Sequence, residues 1–434
     1  MTGSYHSVAD ERDDSLRARL SIPALIAAAA VSNAGNNLTA IAIPWFVLVT
    51  TGSAARTGLV AFAGLLPIAI AGIAGGALVD RIGAKRASVI SDVASGVTVA
   101  MVPTLYLLDA LQFWHLLALA FLGALLDVPG AAARQTMIPR LAHRVGMPLE
   151  RINSAYQIAV FGAVVAGPLL AGVLIVSVGA ANVLYVNTVT FALSAVAVAL
   201  GVDLVRSPVT RWDEAAGVAR RWSVSEAFDG LRFLRRERVL FNICIVSGFA
   251  NFLFAPLFAV IFPVYVKSVF DDPRALGFLV ASFGIGSVAA TVWYGAFGPK
   301  MRRYPIFVVG ATLASAGLWV MPSATHMAAS VAAGFVVGMA LGPLNAVVMV
   351  VLQERVPEQM LGRVMGSLFA VSQIAAPAGV LVAGFAIDGF SVRSVMVAVA
   401  VGFSVIVTWI IVAPVFRQME RPVDAAALVA EART

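Results

Sequence analysis

The 434 residues are 60% hydrophobic and only 12% charged, with a mean hydropathy of +0.92, whereas soluble domains carry about 25% charged residues. No soluble fold hides that much apolar surface, so the chain reads as integral to a membrane. A single cysteine, Cys244, excludes an internal disulfide, a cysteine-based zinc site and an intramolecular redox pair.

In chain order, the mixed-charge segment 1–21 is expected to be a tail, and the apolar stretch after it a retained helix, because no cleavage site follows. A spanning helix needs roughly 20 apolar residues. Runs of that kind fall at 22–49, 57–79, 87–108, 113–134, 153–177, 180–205, 239–266, 276–298, 304–322, 328–352, 364–387 and 392–415. They predict an all-α integral membrane protein of twelve transmembrane helices in two pseudo-symmetric six-helix bundles, 22–205 and 239–415. A linker at 206–238 joins the bundles and a tail, 416–434, follows them.

With the N-terminus in the cytoplasm, the even-numbered links and both tails gather nearly all the basic residues, Arg134 and Arg355 among them. Of the 30 Lys and Arg, only Arg56, Lys267, Arg274 and Arg393 fall outside. Such asymmetry sets orientation by the positive-inside rule. The formal charge of +7 therefore reports topology, and no nucleic-acid partner is expected. Within the linker, Ser223 to Glu226 has the spacing of a capping box. Val224, Ala227, Phe228, Leu231 and Leu234 share one helical face opposite Arg232, Arg235 and Arg236, which predicts a short amphipathic helix on the cytoplasmic surface.

Residue n laid against n+219 aligns the segment from Gly58 with that from Gly277 without a gap, bringing Gly76 onto Gly295 and Arg81 onto Lys300. The second half repeats the first, and parallel six-helix repeats are one known way to build alternating access around a midplane site.

Between helices 2 and 3 stands GALVDRIGAKR, with Gly76, Asp80, Arg81, Gly83, Lys85 and Arg86 in fixed spacing. Gly76 lets a neighbouring helix approach, Gly83 permits a tight turn, and Asp80 suits a helix N-terminus, where anions are favoured. This loop, with the helix count and the duplication, resembles the signature of the major facilitator superfamily. The resemblance implies that Asp80 meets the start of helix 11 near Gly362 and Arg363, locking the halves together when the cavity faces outward, with Asp92 joining that charge network. The second copy has Pro299 where the acid would stand. In helix 5, GAVVAGPLLAG, with Gly162, Gly167, Pro168 and Gly172, is similar to the Gly-Pro signature of the superfamily's antiporters. AAPAGVLVAG in helix 11 is similar to a degenerate counterpart. Further segments, such as ARQTMIPRLA and VPEQMLGRVMGSL, resemble the drug and macrolide exporter branch, which also includes siderophore exporters.

Ionisable residues at membrane depth are functional candidates by default. Asp127, in helix 4, is the most deeply placed acid and the leading candidate for proton coupling; the competing reading makes it a structural partner of Arg134, two turns on. The family often has an acid where Asn36 stands, and an amide does not titrate. Asn33, Asn36 and Asn37 are therefore read as hydrogen-bonding groups, and Gln157, Asn251, Trp293, Asn345 and Gln373 complete the candidate cavity residues. The four histidines are scattered, so no metal site is expected, and no GxSxG, HExxH or GxxxxGK[ST] stands in the chain.

The combined reading is a secondary active exporter of amphipathic organic compounds that exchanges them for protons. It would be monomeric in the cell membrane, with both termini cytoplasmic, no cofactor and no enzymatic activity. Uptake or export of a specific metabolite or siderophore is the alternative within transport, and it calls for more charged cavity groups than the chain has. A non-transporting sensor or scaffold is the alternative outside it.

Overall fold

The computed structural model describes the backbone of residues 5–203 and 231–420; within these, the side chains of 5–19, 68–78, 80, 299, 358, 359 and 362 fall outside the description. The described residues form helices and turns with no strand, as an apolar solvent demands: each spanning segment must satisfy its own backbone groups. The helices are α1 (Tyr5–Thr51), α2 (Ala54–Ile82), α3 (Ala84–Leu107), α4 (Phe113–Val145), α5 (Leu149–Val178) and α6 (Ala180–Gly201). They continue with α7 (Arg238–Val269), α8 (Pro273–Phe297), α9 (Arg303–Val320), α10 (Met327–Arg355), α11 (Glu358–Gly389) and α12 (Val392–Val412). Eleven are long and apolar enough to span a membrane over their described residues, and α2 contributes a described apolar stretch at Ala54–Pro67. A 3-10 segment, Pro414–Glu420, follows α12.

Most helices outrun their apolar runs, because polar residues extend them beyond the hydrocarbon. The largest extension is at the start of α1, which begins at Tyr5 within the segment expected to be a tail, and α4, predicted to end at 134, reaches Val145. Arg134 is therefore not in a loop, as the charge count had it, but 1% exposed within the helix. Arg355 is likewise 6% exposed and pairs with Glu237 at 2.6 Å. Pro256 interrupts α7, and the chain accommodates it with a π turn at Leu257–Ile261. Phe254 and Phe258 pack there against Phe283, with ring centroids 5.3 and 5.0 Å away.

By contacts the chain divides into two compact units, Met1–Phe46 with Ala63–Arg221, and Val47–Phe62 with Trp222–Thr434. In the first, α3 packs on α4 and α6; in the second, α9, six helices later, packs on α10 and α12. Small residues make these approaches possible. A Cβ on Gly167 of α5 would lie 2.4 Å from the Asn37 Cβ of α1, and one on Gly379 of α11 would lie 1.9 Å from the Phe252 carbonyl of α7. The repeat therefore appears inside each unit as the same helix pair joined at a glycine.

Of the expected amphipathic segment, 204–230 lies outside the described residues. Residues 231–236 are helical, with Arg232, Arg235 and Arg236 exposed. Phe233 and Leu234 are buried in the core of the second unit, alongside Phe416 and Met419 of the last 3-10 segment. The apolar side of this short stretch thus packs on protein.

The start of α2, assigned to the second unit, is capped by a distant acid. Ser53 Oγ donates to Asp388 of α11 at 2.7 Å, and the Ala54 and Ala55 amides donate to the same carboxylate at 2.8 and 3.1 Å. Ser53 Oγ in turn accepts from the Arg56 amide at 3.2 Å. A Cβ on Gly384 would meet the Ala54 carbonyl at 2.9 Å, so the backbones of α2 and α11 touch. Asp388→Ala is expected to lower stability by about 1 kcal/mol, the usual worth of an N-cap. Thermal unfolding of the detergent-solubilised protein checks this, and an unchanged midpoint contradicts the capping role.

Candidate functional site

The first unit buries a charge cluster. Asp92 on α3 is 0% exposed and Arg134 on α4 is 1% exposed, and they form an ion pair at 2.8 Å. Ser194 of α6 donates to the second Asp92 oxygen at 2.7 Å. Arg134 Nη2 reaches Ser32 Oγ of α1 at 3.2 Å, and Nη1 reaches Ser88 Oγ of α3 at 3.5 Å. Tyr156 of α5 is buried in the core that packs beside the pair. Side chains from α1, α3, α4 and α6 thus converge on one ion pair.

Local sequence makes that convergence possible. Gly130, one turn before Arg134, lets α4 lie so close to α3 that a Cβ there would stand 2.8 Å from the Ser91 Cβ. The helix faces around the pair otherwise carry small residues, and Ala87 and Ala133 are fully buried beside it. Beside this cluster, Gly35 of α1 faces Asn187 of α6, which is 0% exposed. Asn187 Nδ2 donates to Thr39 Oγ1 at 2.6 Å, and its Oδ1 accepts from Thr190 at 2.8 Å.

Asp127 stands seven residues before Arg134, about 10 Å along the helix at 1.5 Å per residue. Arg134 takes its ion-pair partner from α3, so the reading of Asp127 as that partner is corrected: its neighbour is Asn36 of α1, whose Nδ2 donates to Oδ2 at 2.8 Å. Asp127 Oδ1 is shielded from solvent and has no hydrogen-bond partner among the described residues.

The remaining predicted residues spread over both units. Asn33 and Asn37 donate to the carbonyls four residues earlier, Ala29 and Asn33, each at 2.8 Å. Asn251 does the same to Ser247 at 3.0 Å. Gln157 and Asn345 are exposed and Gln373 is half-buried. Trp293 lines a groove among α8, α9 and α10. In the helix 5 motif, Gly167, Pro168 and Gly172 are buried, whereas Gly162 has open space around it.

The loop motif forms a tight connection between α2 and α3. Gly83 adopts φ of 86°, in the left-handed region that favours glycine, and receives the end of α2 through its amide to the Val79 carbonyl at 2.9 Å. Arg81 and Arg86 are exposed and Lys85 is half-buried. The side-chain positions of Gly76 and Asp80 lie outside the described residues. Asp92, expected in the gate network, is taken up by Arg134 and Ser194. Arg363 lies near the start of α11, where Ser367 donates to its carbonyl at 2.9 Å.

Sequence reasoning missed Ser32, Ser88, Ser194 and Asn187. Short hydroxyls are common in apolar helices and carry no pattern; Asn187, an amide in the middle of an apolar run, was the one detectable signal.

Removing either charge strands the other in the apolar interior, at a cost of about 3–5 kcal/mol. Asp92→Asn and Arg134→Gln are each expected to cut the yield of folded protein sharply, and the double variant to recover part of it. Size-exclusion profiles of the solubilised variants report this, and single variants that elute like the parent would contradict it.

Comparison with known proteins agrees with this architecture. The model of the Major Facilitator Superfamily matches residues 25–380 and again 244–432. The multidrug efflux pump Tap of Mycolicibacterium fortuitum is 32% identical over 385 residues, covering 87% of this chain and 91% of that protein. Macrolide efflux protein A of Streptococcus pyogenes is 24% identical over 375 residues, covering 84% and 88%. Among solved structures, nucleoside transporter NupG superposes with a TM-score of 0.71 at 14% identity, covering 90% of this chain and 98% of that one. A D-xylose-proton symporter gives 0.69 at 15% identity, covering 90% and 96%. These two share the fold. With its twelve-helix architecture and a family match along nearly its whole length, the chain belongs to the Major Facilitator Superfamily of multi-pass membrane transporters.

Proposed function

We propose that the protein is a secondary active exporter of amphipathic, drug-like compounds that works by alternating access and exchanges substrate for protons. Efflux is supported by the relatives, a multidrug pump at 32% identity and a macrolide efflux protein at 24%. The sparse charge at membrane depth also suits an amphipathic substrate better than a strongly polar one. The basic links favour cytoplasmic termini by the positive-inside rule, and the efflux relatives support a place in the cell membrane.

Coupling is assigned to Asp127. The observation that carries it is the contrast between the two buried acids of α3 and α4. Asp92 is saturated by Arg134 and Ser194, whereas Asp127 uses one oxygen toward Asn36 and leaves the other open. A carboxyl group with an open oxygen in a low-dielectric site gains or loses a proton without dismantling an ion pair. The loop containing Asp80 serves as the cytoplasmic gate, the helix 5 motif around Gly167 and Pro168 keeps the transport helices in close contact, and the α1 amides contribute hydrogen bonds to the cavity.

Purified protein in vesicles, loaded with a fluorescent amphipathic cation and energised by a pH gradient, tests both parts. The parent is expected to move the dye only while the gradient lasts, and Asp127→Asn to lose gradient dependence while retaining slow downhill exchange. Undiminished gradient-driven transport in Asp127→Asn removes the acid from coupling. A parent that moves no dye under any gradient removes the exporter reading.

A further inference from the structure

Between α8, α9 and α10, wholly within the second unit, lies an apolar groove of about 650 Å³, inside the roughly 300–1,000 Å³ range of small-molecule sites. Its floor is made of small residues, Ala290, Gly310 and Ala340. Gly310 is obligatory there: a Cβ would lie 2.8 Å from the Ala340 carbonyl and 2.1 Å from the Leu344 side chain, so α9 lies directly on α10. Trp293 and Met339, 46% and 44% exposed, stand out from the floor as walls. Apart from the Trp293 indole nitrogen, the side chains lining the groove carry no hydrogen-bonding nitrogen or oxygen.

One end of the groove is charged. Met301 lines it and sits between Lys300 and Arg302 in the connection from α8 to α9. Arg303 is held by Glu354 through two hydrogen bonds of 2.6 Å. Glu420 accepts the Tyr304 amide at 3.1 Å and lies 4.0 Å from Arg302, whose side chain is 84% exposed. Lys300 is exposed and has no ion-pair partner among the described residues. Among the described residues three cations thus meet two carboxylates, both already engaged, and the mouth keeps a positive excess. Trp293, one turn before the end of α8, stands toward the same end, where indoles favour the bilayer interface.

We propose that this groove holds an acyl chain of an anionic phospholipid whose phosphate docks at Lys300 and Arg302. The apolar trench accepts a hydrocarbon chain and offers a polar ligand almost nothing. The positive mouth repels a cationic amphiphile and favours a net negative headgroup over a zwitterionic one. Basic residues beside spanning helices attract anionic lipids of the cytoplasmic leaflet in this way. The site involves neither Asp127 nor any step of transport, so it stands or falls separately from the exporter reading.

Native mass spectrometry of the delipidated full-length protein, titrated with dioleoyl phosphatidylglycerol or dioleoyl phosphatidylcholine, tests it. The parent is expected to retain one phosphatidylglycerol in preference to phosphatidylcholine. Lys300→Ala should weaken that binding about fivefold, the order expected for one basic side chain, and Lys300→Ala with Arg302→Ala should remove the preference. Val309→Trp, at a 56% exposed position lining the groove, should fill it and weaken both lipids; Leu313→Trp serves if that variant fails to fold. Equal retention of the two lipids by the parent overturns the proposal, as does phosphatidylglycerol binding that either the charge or the filling variants leave unchanged.

Discussion

A guanidinium held among apolar helices dominates the first unit. Burying Arg134 without a counter-ion is far costlier than leaving any single helix contact unmade, so helices that assemble around it must bring hydroxyls and a carboxylate to defined places. Asp92, Ser32, Ser88 and Ser194 do so from α1, α3 and α6. In a bilayer, where lipid tails are as apolar as leucine, little else selects one helix arrangement over another. The polar cluster supplies that selection, and the glycines at 35, 130 and 167 permit the distances it requires.

The same cluster divides two acids by environment. Asp92 and Asp127 both lie in spanning helices, yet one is enclosed by donors and the other meets a single amide. Arg134 does the dividing, because its fork is committed to α3 and the serines. A neutral Asn36 then completes the arrangement: it holds Asp127 in place without supplying a second charge.

Helix number, span order and the duplication were legible in the chain because hydrophobic run length and the n+219 alignment are local properties of sequence. The loop turn at Gly83 was legible for the same reason, since a left-handed residue flanked by basic positions is a local demand. Helix ends were less so: α4 continues through Arg134, Arg140 and Arg144 because a charged helix surface is as regular as an apolar one. Arg134 and Arg355 looked like topology markers, and only tertiary packing shows them to be buried partners of Asp92 and Glu237. Asp127 stood out in the sequence by its depth, but its hydrogen-bond partner Asn36 did not, since spacing along one helix says nothing about what a different helix brings.

The cap on α2 has a consequence for how the chain is made. Ser53 and Asp388 are 335 residues apart, and synthesis at about 5–20 residues per second separates their emergence by tens of seconds. Through that interval the second helix exists in the bilayer with its first amides answered by water or lipid headgroups. Its final seating is therefore a late event in biogenesis, completed only after the eleventh helix has been inserted.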